Sequence, residues 1–75
     1  MNITSRSRLR TRMDFARVKF GPFASSHEAM GVALEEGDEF RERIHKNDIA
    51  GARSEALDLA AVLIRFAEQE HFPRG

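Results

Sequence analysis

Apolar residues recur at helical spacing along much of this 75-residue chain. After the break at Gly21-Pro22, Ser25 and Ser26 resemble helix N-caps, and the pattern predicts a helix over about 26–46. Its apolar positions lie three or four residues apart, as on one face of a helix. They form a single predicted core stripe: Met30, Ala33, Leu34, Phe40 and Ile44.

A second helix is predicted over about 49–70, because Asn47-Asp48 interrupts the pattern and Asp48 is a good N-cap. One partner helix covers only one apolar stripe, yet this helix is apolar on more than one face. The extra width therefore predicts further helices packed against it, from the N-terminal segment or from a second subunit. Its predicted core stripe is Ile49, Ala52, Ala56, Ala60, Leu63 and Ala67, flanked by Leu59, Val62 and Phe66 on one side and by Leu57 and Ile64 on the other.

The N-terminal segment has a weaker pattern. Leu9, Met13, Ala16 and Phe20 predict a short helix over about 6–19, with an extended arm as the alternative. We therefore divide the chain into a basic N-terminal arm or short helix, 1–20, and a helical hairpin domain, 21–75. So short a chain buries little surface alone and has no cysteine for a disulfide. The predicted fold class is all-α, an antiparallel helical hairpin that assembles into a four-helix-bundle-like homo-oligomer, either a dimer or a tetramer.

Charge is distributed unevenly, although the formal net charge is zero. Residues 1–20 contain six basic side chains and one acidic one, whereas residues 21–75 contain six basic and eleven acidic ones. Such a basic segment suits a polyanion or an acidic partner surface. No apolar run is long enough to span a bilayer and no signal peptide is evident, so we expect a cytoplasmic protein with no membrane partner.

Two pairs of acids stand at matched distances from the predicted reversal at Asn47. Glu39 and Glu55 are each eight residues from it, and Glu36 and Asp58 are each eleven. Equal distance from the turn means equal height in an antiparallel hairpin, so the four carboxylates should face one another as two pairs. Carboxylates crowded in this way repel strongly. A hard divalent cation with oxygen ligands, Mg²⁺ or Mn²⁺, would offset that repulsion.

The spacing of these acids resembles that of a known family. Glu35-Glu36-x-x-Glu39, fifteen intervening residues and Glu55-x-x-Asp58 are similar to the EExxE…ExxD signature of the MazG-like all-α NTP pyrophosphohydrolases. Residues 20–68, including Ser26-His27-Glu28, also resemble small bacterial and phage proteins of that superfamily. The resemblance covers about two-thirds of the chain.

The resemblance implies Mg²⁺-dependent hydrolysis of an NTP or dNTP to a monophosphate and pyrophosphate, by attack of a metal-activated water on the α-phosphorus. It implies that Glu36, Glu39, Glu55 and Asp58 are the metal ligands. Glu35 would be an accessory acid, and Glu35 or Glu39 would accept the proton of the attacking water.

Candidate substrate contacts lie near the same acids. Lys46 and Arg53 are candidates to bind the phosphates, as are the N-terminal arginines of a neighbouring subunit. Glu28 is a candidate contact to the base or sugar, and it also compensates the helix dipole at the start of its helix. Each of these side chains has the alternative interpretation of an ordinary solvated residue.

Two other functions remain open. The hairpin could be a non-catalytic dimerisation module whose basic arm binds nucleic acid through phosphate contacts. It could also be a family member that binds nucleotide without hydrolysing it. Gly37 is the indication for the latter, because a larger apolar residue is usual at that position of the motif.

Overall fold

Three α-helices account for most of the chain. The computed structural model describes residues 5–72, without the side chains of 5 and 17–20. The helices are α1 (Ser5–Phe20), α2 (Ser26–His45) and α3 (Ile49–Glu68), and the described residues include no strand. The all-α prediction is confirmed, and the N-terminal segment is helical, not extended, over its described part. Residues 1–4 and 73–75, at the ends of the two predicted domains, and the side chain of Phe20 lie outside what is described.

Reciprocal capping starts α2 at the predicted position. The Ser25 hydroxyl accepts a hydrogen bond from the Glu28 amide at 3.0 Å, and the Glu28 carboxylate accepts one from the Ala24 amide at 3.3 Å. This arrangement satisfies two amides at the helix N-terminus, much as a capping box does. Glu28 therefore has a structural role of its own.

A tight turn joins α2 to α3 at the predicted reversal. Asn47 adopts a left-handed backbone conformation with φ 59°, and the Asp48 amide donates to the Arg43 carbonyl at 2.9 Å. The Asp48 carboxylate accepts from the Gly51 amide at 2.9 Å and pairs with the Arg43 guanidinium at 3.1 Å. Asp48 thus caps α3 and ties it to the end of α2.

The end of α3 is tied to the segment between α1 and α2. α3 ends at Glu68, two residues before the predicted end, because Gln69 has an extended backbone. The Gln69 side chain accepts from the Phe23 amide and donates to the Phe23 carbonyl, both at 2.9 Å. Arg65 lies over the Phe23 ring and donates to the Gly21 carbonyl at 2.6 Å. These contacts hold the connecting segment on α3.

The central element is α3, which packs against α2 on one side and α1 on the other. None of the three helices, as far as they are described, is long and apolar enough to cross a membrane. Small side chains let helices approach closely, and three of the five buried residues are alanines: Phe23, Ala29, Ala52, Ala61 and Val62. Val32, Ala33 and Phe72 pack against this core as partly buried residues.

The predicted core stripes are wrong in part. Ala52 is buried and Ala33 and Phe40 are half-buried, but Ala56 and Ala67 are exposed. The other large members of both stripes are exposed, because α3 turns toward α1 and the Phe23 segment and buries Ala61 and Val62 in place of Leu63. Five of them, which we call the open face, are between 46% and 63% exposed: Met30, Leu34, Ile44, Ile49 and Leu63.

The open face occupies one side of the hairpin. Met30 and Ile44 are fourteen residues apart on α2, and Ile49 and Leu63 are fourteen apart on α3, so each pair lies within about 40° on its helix. On both helices the paired acids lie on the other side of the contact between α2 and α3. The hairpin therefore has an acidic side, next to α1, and an apolar side that the described residues leave exposed.

The glycine in the acidic motif has room for a side chain. A Cβ added to Gly37 would meet nothing within 4 Å, and an alanine interior to a helix is more stable than glycine by about 1 kcal/mol. We therefore expect Gly37→Ala to raise the thermal midpoint measured by circular dichroism. Gly51→Ala is the matched control and should lower the midpoint, because its Cβ would collide with the Asp48 carboxylate that caps α3. Equal effects of the two substitutions would contradict this account.

Candidate metal centre

Three carboxylates from the two hairpin helices converge beside α1. One oxygen each of Glu36, Glu39 and Glu55 lies within 4.8 Å of the other two. Glu36 and Glu55 are half-buried, and Glu39 is exposed. We call these three residues the acidic cluster. Glu36 and Glu39 are three residues apart on α2, and the antiparallel turn brings Glu55 of α3 to the height of Glu39.

Crowding and partial burial oppose ionisation of the cluster. Desolvation, followed by the charges of Glu39, Asp58 and Glu55, raises the pKa of Glu36 from 4.5 to about 7. Desolvation and contact with Glu39 also raise the pKa of Glu55, while the nearby Arg43 acts in the opposite direction. Ionisation of the cluster at neutral pH is therefore unfavourable, and binding of a proton or a cation would relieve the repulsion.

Two oxygens of the cluster lack a partner. Glu36 Oε2 and Glu55 Oε2 are buried and accept no hydrogen bond. A buried carboxylate oxygen without a donor is destabilising, whereas several carboxylate oxygens around one point are suitable ligands for a hard divalent cation. The residues present therefore fit Mg²⁺ or Mn²⁺, with the cluster supplying oxygens from both helices.

The fourth predicted ligand, Asp58, is next to the cluster but paired with an arginine of α1. Its charge contributes to the raised pKa of both Glu36 and Glu55, which places it within their electrostatic reach. Asp58 Oδ1 accepts a hydrogen bond from Arg12 Nε at 2.7 Å, and Arg12 Nη2 donates to Ser54 Oγ at 2.8 Å. The structure thus places all four predicted ligands in one region, and the Arg12 guanidinium is hydrogen-bonded to one of them, Asp58.

Two cavities border these acids. The larger, which we call the α1 cleft, has a volume of about 970 Å³ and is lined by residues of α1, α2 and α3. Glu36 and Asp58 line it together with Arg8, Arg12 and Phe15 of α1. The smaller, the turn cavity, has a volume of about 340 Å³ and is lined by Glu39, Glu42, Arg43, Lys46 and Glu55.

The predicted accessory residues are more dispersed. Glu35 is exposed and is not one of the three clustered acids. Glu28 lines the α1 cleft, where its carboxylate also caps α2. Lys46 lines the turn cavity and pairs with Glu42 at 3.2 Å. Arg53 is exposed about 200° around α3 from Glu55, and it lines neither cavity at the cluster.

Sequence reasoning did not single out Arg12, which pairs with Asp58, or Arg43, whose charge acts on Glu55. Arg43 is seven residues after Glu36 on α2, which is close to two full helical turns. This spacing was the signal that could have placed Arg43 on the same side of the helix as that acid. Arg12 is one of several arginines on α1, and its partner Asp58 is 46 residues away. An N-terminal arginine was expected to reach the acids from a neighbouring subunit. In the structure Arg12 of the same chain reaches Asp58.

Comparison of the chain with protein-family models, with curated proteins and with solved structures gives no match. The MazG-like resemblance therefore depends on the acidic motif and its spacing.

The raised pKa values predict how stability varies with pH in the absence of metal. Glu36 is protonated in the unfolded chain only below about pH 4.5, but in the folded chain up to about pH 7. Its contribution to stability is thus fully present below pH 4.5 and is lost as the pH rises to about 7. We expect the thermal midpoint of the metal-free protein to fall over this interval.

Glu36→Gln should make that fall shallower, and a saturating divalent cation should raise the midpoint most at neutral pH. A midpoint in wild type that rises steadily from pH 4.5 to 7, with no change in Glu36→Gln, would contradict the pKa assignment.

Proposed function

We propose that this protein is a divalent-metal-dependent nucleoside triphosphate pyrophosphohydrolase, which hydrolyses an NTP or dNTP to a monophosphate and pyrophosphate. The observation that carries the proposal is the convergence of Glu36, Glu39 and Glu55 with two buried oxygens lacking any donor. The similarity of the motif to the MazG-like signature supports the reaction class. The adjoining cleft supports a substrate of nucleotide size.

The residues proposed to hold the metal are the acidic cluster and Asp58. A divalent cation bound there would offset the negative charge of the triphosphate, polarise the α-phosphorus and acidify a bound water. Glu39 is the exposed member of the cluster, so a proton that it accepts from the attacking water can pass to solvent. Glu35 is the alternative proton acceptor, since it is adjacent to Glu36 in the motif.

The α1 cleft is the proposed substrate site. Its volume of about 970 Å³ lies in the range of small-molecule sites. Its apolar lining includes Val32, Ala61 and Val62, and Phe15, 63% exposed, offers a ring for a base. With the base there, the triphosphate would extend toward Glu36 and Asp58. Glu28 would then face the base or sugar, and Lys46 would approach the phosphates from the turn cavity.

The reaction can be tested through its products and its metal requirement. A panel of NTPs and dNTPs with Mg²⁺ should yield a monophosphate and pyrophosphate, measured by chromatography. Glu36→Gln and Asp58→Asn should each lower activity at least about a hundredfold, because each replaces a proposed carboxylate ligand of the metal with a neutral amide. Calorimetry should show weaker Mg²⁺ or Mn²⁺ binding in Glu36→Gln.

Glu42→Gln and Glu68→Gln are the controls, because each makes the same change in charge outside the proposed ligand set. Orthophosphate as the primary product would mean attack at the γ-phosphorus and another enzyme class. If wild type binds no divalent metal even with nucleotide present, the catalytic proposal fails. The nucleic-acid-binding module would then be the leading alternative.

We also propose that the protein is a homodimer, in which the open faces of two hairpins pack into a four-helix arrangement. The prediction from sequence placed the interface on the flanks of α3, but Val62 is buried in the chain's own core and Leu57, Leu59 and Ile64 are half-buried. Only Phe66 of that set is exposed. Five large apolar side chains on one side of an 8.5 kDa chain are a patch of the kind that usually marks an interface.

Leu34→Glu should convert the dimer to a monomer, because it places a charge on the open face at a side chain that is 63% exposed in the single chain. Phe15→Glu is the matched control, since Phe15 has the same 63% exposure but lies on α1. Sedimentation velocity at micromolar concentration measures both variants. A monomeric wild type would contradict the proposed dimer. The proposed metal site does not depend on this result, because the calorimetry above tests it separately.

A further inference from the structure

Arg12 stands between the proposed metal site and the proposed substrate cleft. Its guanidinium donates from Nε to Asp58 and from Nη2 to Ser54, so one edge of the guanidinium plane is hydrogen-bonded to α3. The same side chain lines the α1 cleft, and Arg8, one turn earlier on α1, lines it too. Arg12 is 29% exposed, so it is accessible from the cleft.

The attraction that holds Arg12 on Asp58 depends on the charge of the neighbouring acids. Asp58 acts electrostatically on Glu36 and Glu55, so Arg12 sits in the combined negative field of these carboxylates. A divalent cation among them would cancel much of that field and would compete directly for the Asp58 oxygens. Two cations cannot share this position without repulsion.

A phosphate in the cleft would offer Arg12 a new partner. The planar guanidinium fork binds phosphate oxygens in a bidentate manner, and such charge-assisted hydrogen bonds are among the stronger ones. Arg12 already lines the cleft, so its guanidinium is next to the space that the phosphate would occupy.

We propose that Arg12 is a displaceable counterion, which occupies Asp58 in the absence of metal and moves to the substrate phosphates when a divalent cation takes Asp58. This inference rests on the proposed function and adds to it a positioning and phosphate-binding residue. Arg12 opposes the binding of metal alone and favours the binding of phosphate to the metal-loaded protein. Removal of its charge should therefore change the two affinities in opposite directions.

The test is calorimetry with Mn²⁺ alone, followed by tripolyphosphate added to the Mn²⁺-saturated protein. Tripolyphosphate needs no knowledge of the preferred base. Arg12→Gln should tighten Mn²⁺ binding about fivefold or more and weaken tripolyphosphate binding about tenfold or more, within the usual range of coupling between sites. Arg10→Gln, which makes the same charge change at an exposed position of the same helix, should do neither.

Ser54→Ala tests the same idea with the Arg12 charge retained. It removes one of the two hydrogen bonds that hold Arg12 on α3, so Mn²⁺ binding should tighten while tripolyphosphate binding stays as in wild type. Circular dichroism verifies that each variant is folded.

The outcomes separate this inference from the proposed function. If wild type binds Mn²⁺ but Arg12→Gln binds it no more tightly, or binds both probes more weakly, Arg12 is only a structural tie and the inference is overturned. If wild type binds no Mn²⁺ with or without tripolyphosphate, the proposed function falls and takes this inference with it.

Discussion

Repulsion among the carboxylates that α2 and α3 bring together is the interaction on which the acidic side of the molecule depends. The alanine-rich contact and the Asp48 turn hold the two helices together and so keep Glu36 and Glu55 close to the other acids. Both acids respond with raised pKa values, and both retain an oxygen without a donor. A site of this kind attracts positive charge, and among the described side chains Arg12 pairs with Asp58 and Arg43 acts on Glu55.

The position of α1 is linked to the charge of that site. α1 is rich in arginine, and among its described side chains the half-buried apolar ones are Leu9, Met13 and Ala16. Its ion pair through Arg12 is partly exposed, and such pairs contribute little stability by themselves. α1 is therefore the element that we expect to open most easily. Since α1 forms one wall of the α1 cleft, we expect movement of α1 relative to α3 to change the width of the proposed substrate site.

Local signals made the hairpin predictable from sequence. The Ser25 cap, the left-handed Asn47 and the Asp48 cap act through neighbouring residues, so the helix boundaries and the meeting of Glu36, Glu39 and Glu55 followed from spacing alone. Contacts between distant residues were not predictable in this way. Periodicity gives the angle of a side chain around its own helix, but it does not say how far that helix rolls against its neighbours. Here the roll is set by the docking of α1 and by the contacts of Phe23 with Gln69 and Arg65.

The error about the core stripes bears on the proposed assembly. Periodic apolar positions reflect burial of any origin, whether inside one chain or between two chains. Met30, Leu34 and Leu63 repeat as regularly as core residues, yet the chain buries alanines and Val62 in their place. A solvated surface has no physical need for large apolar side chains in register on both helices. The proposed homodimer removes this conflict, because it buries the open face while the acidic side of each hairpin stays accessible to metal and nucleotide.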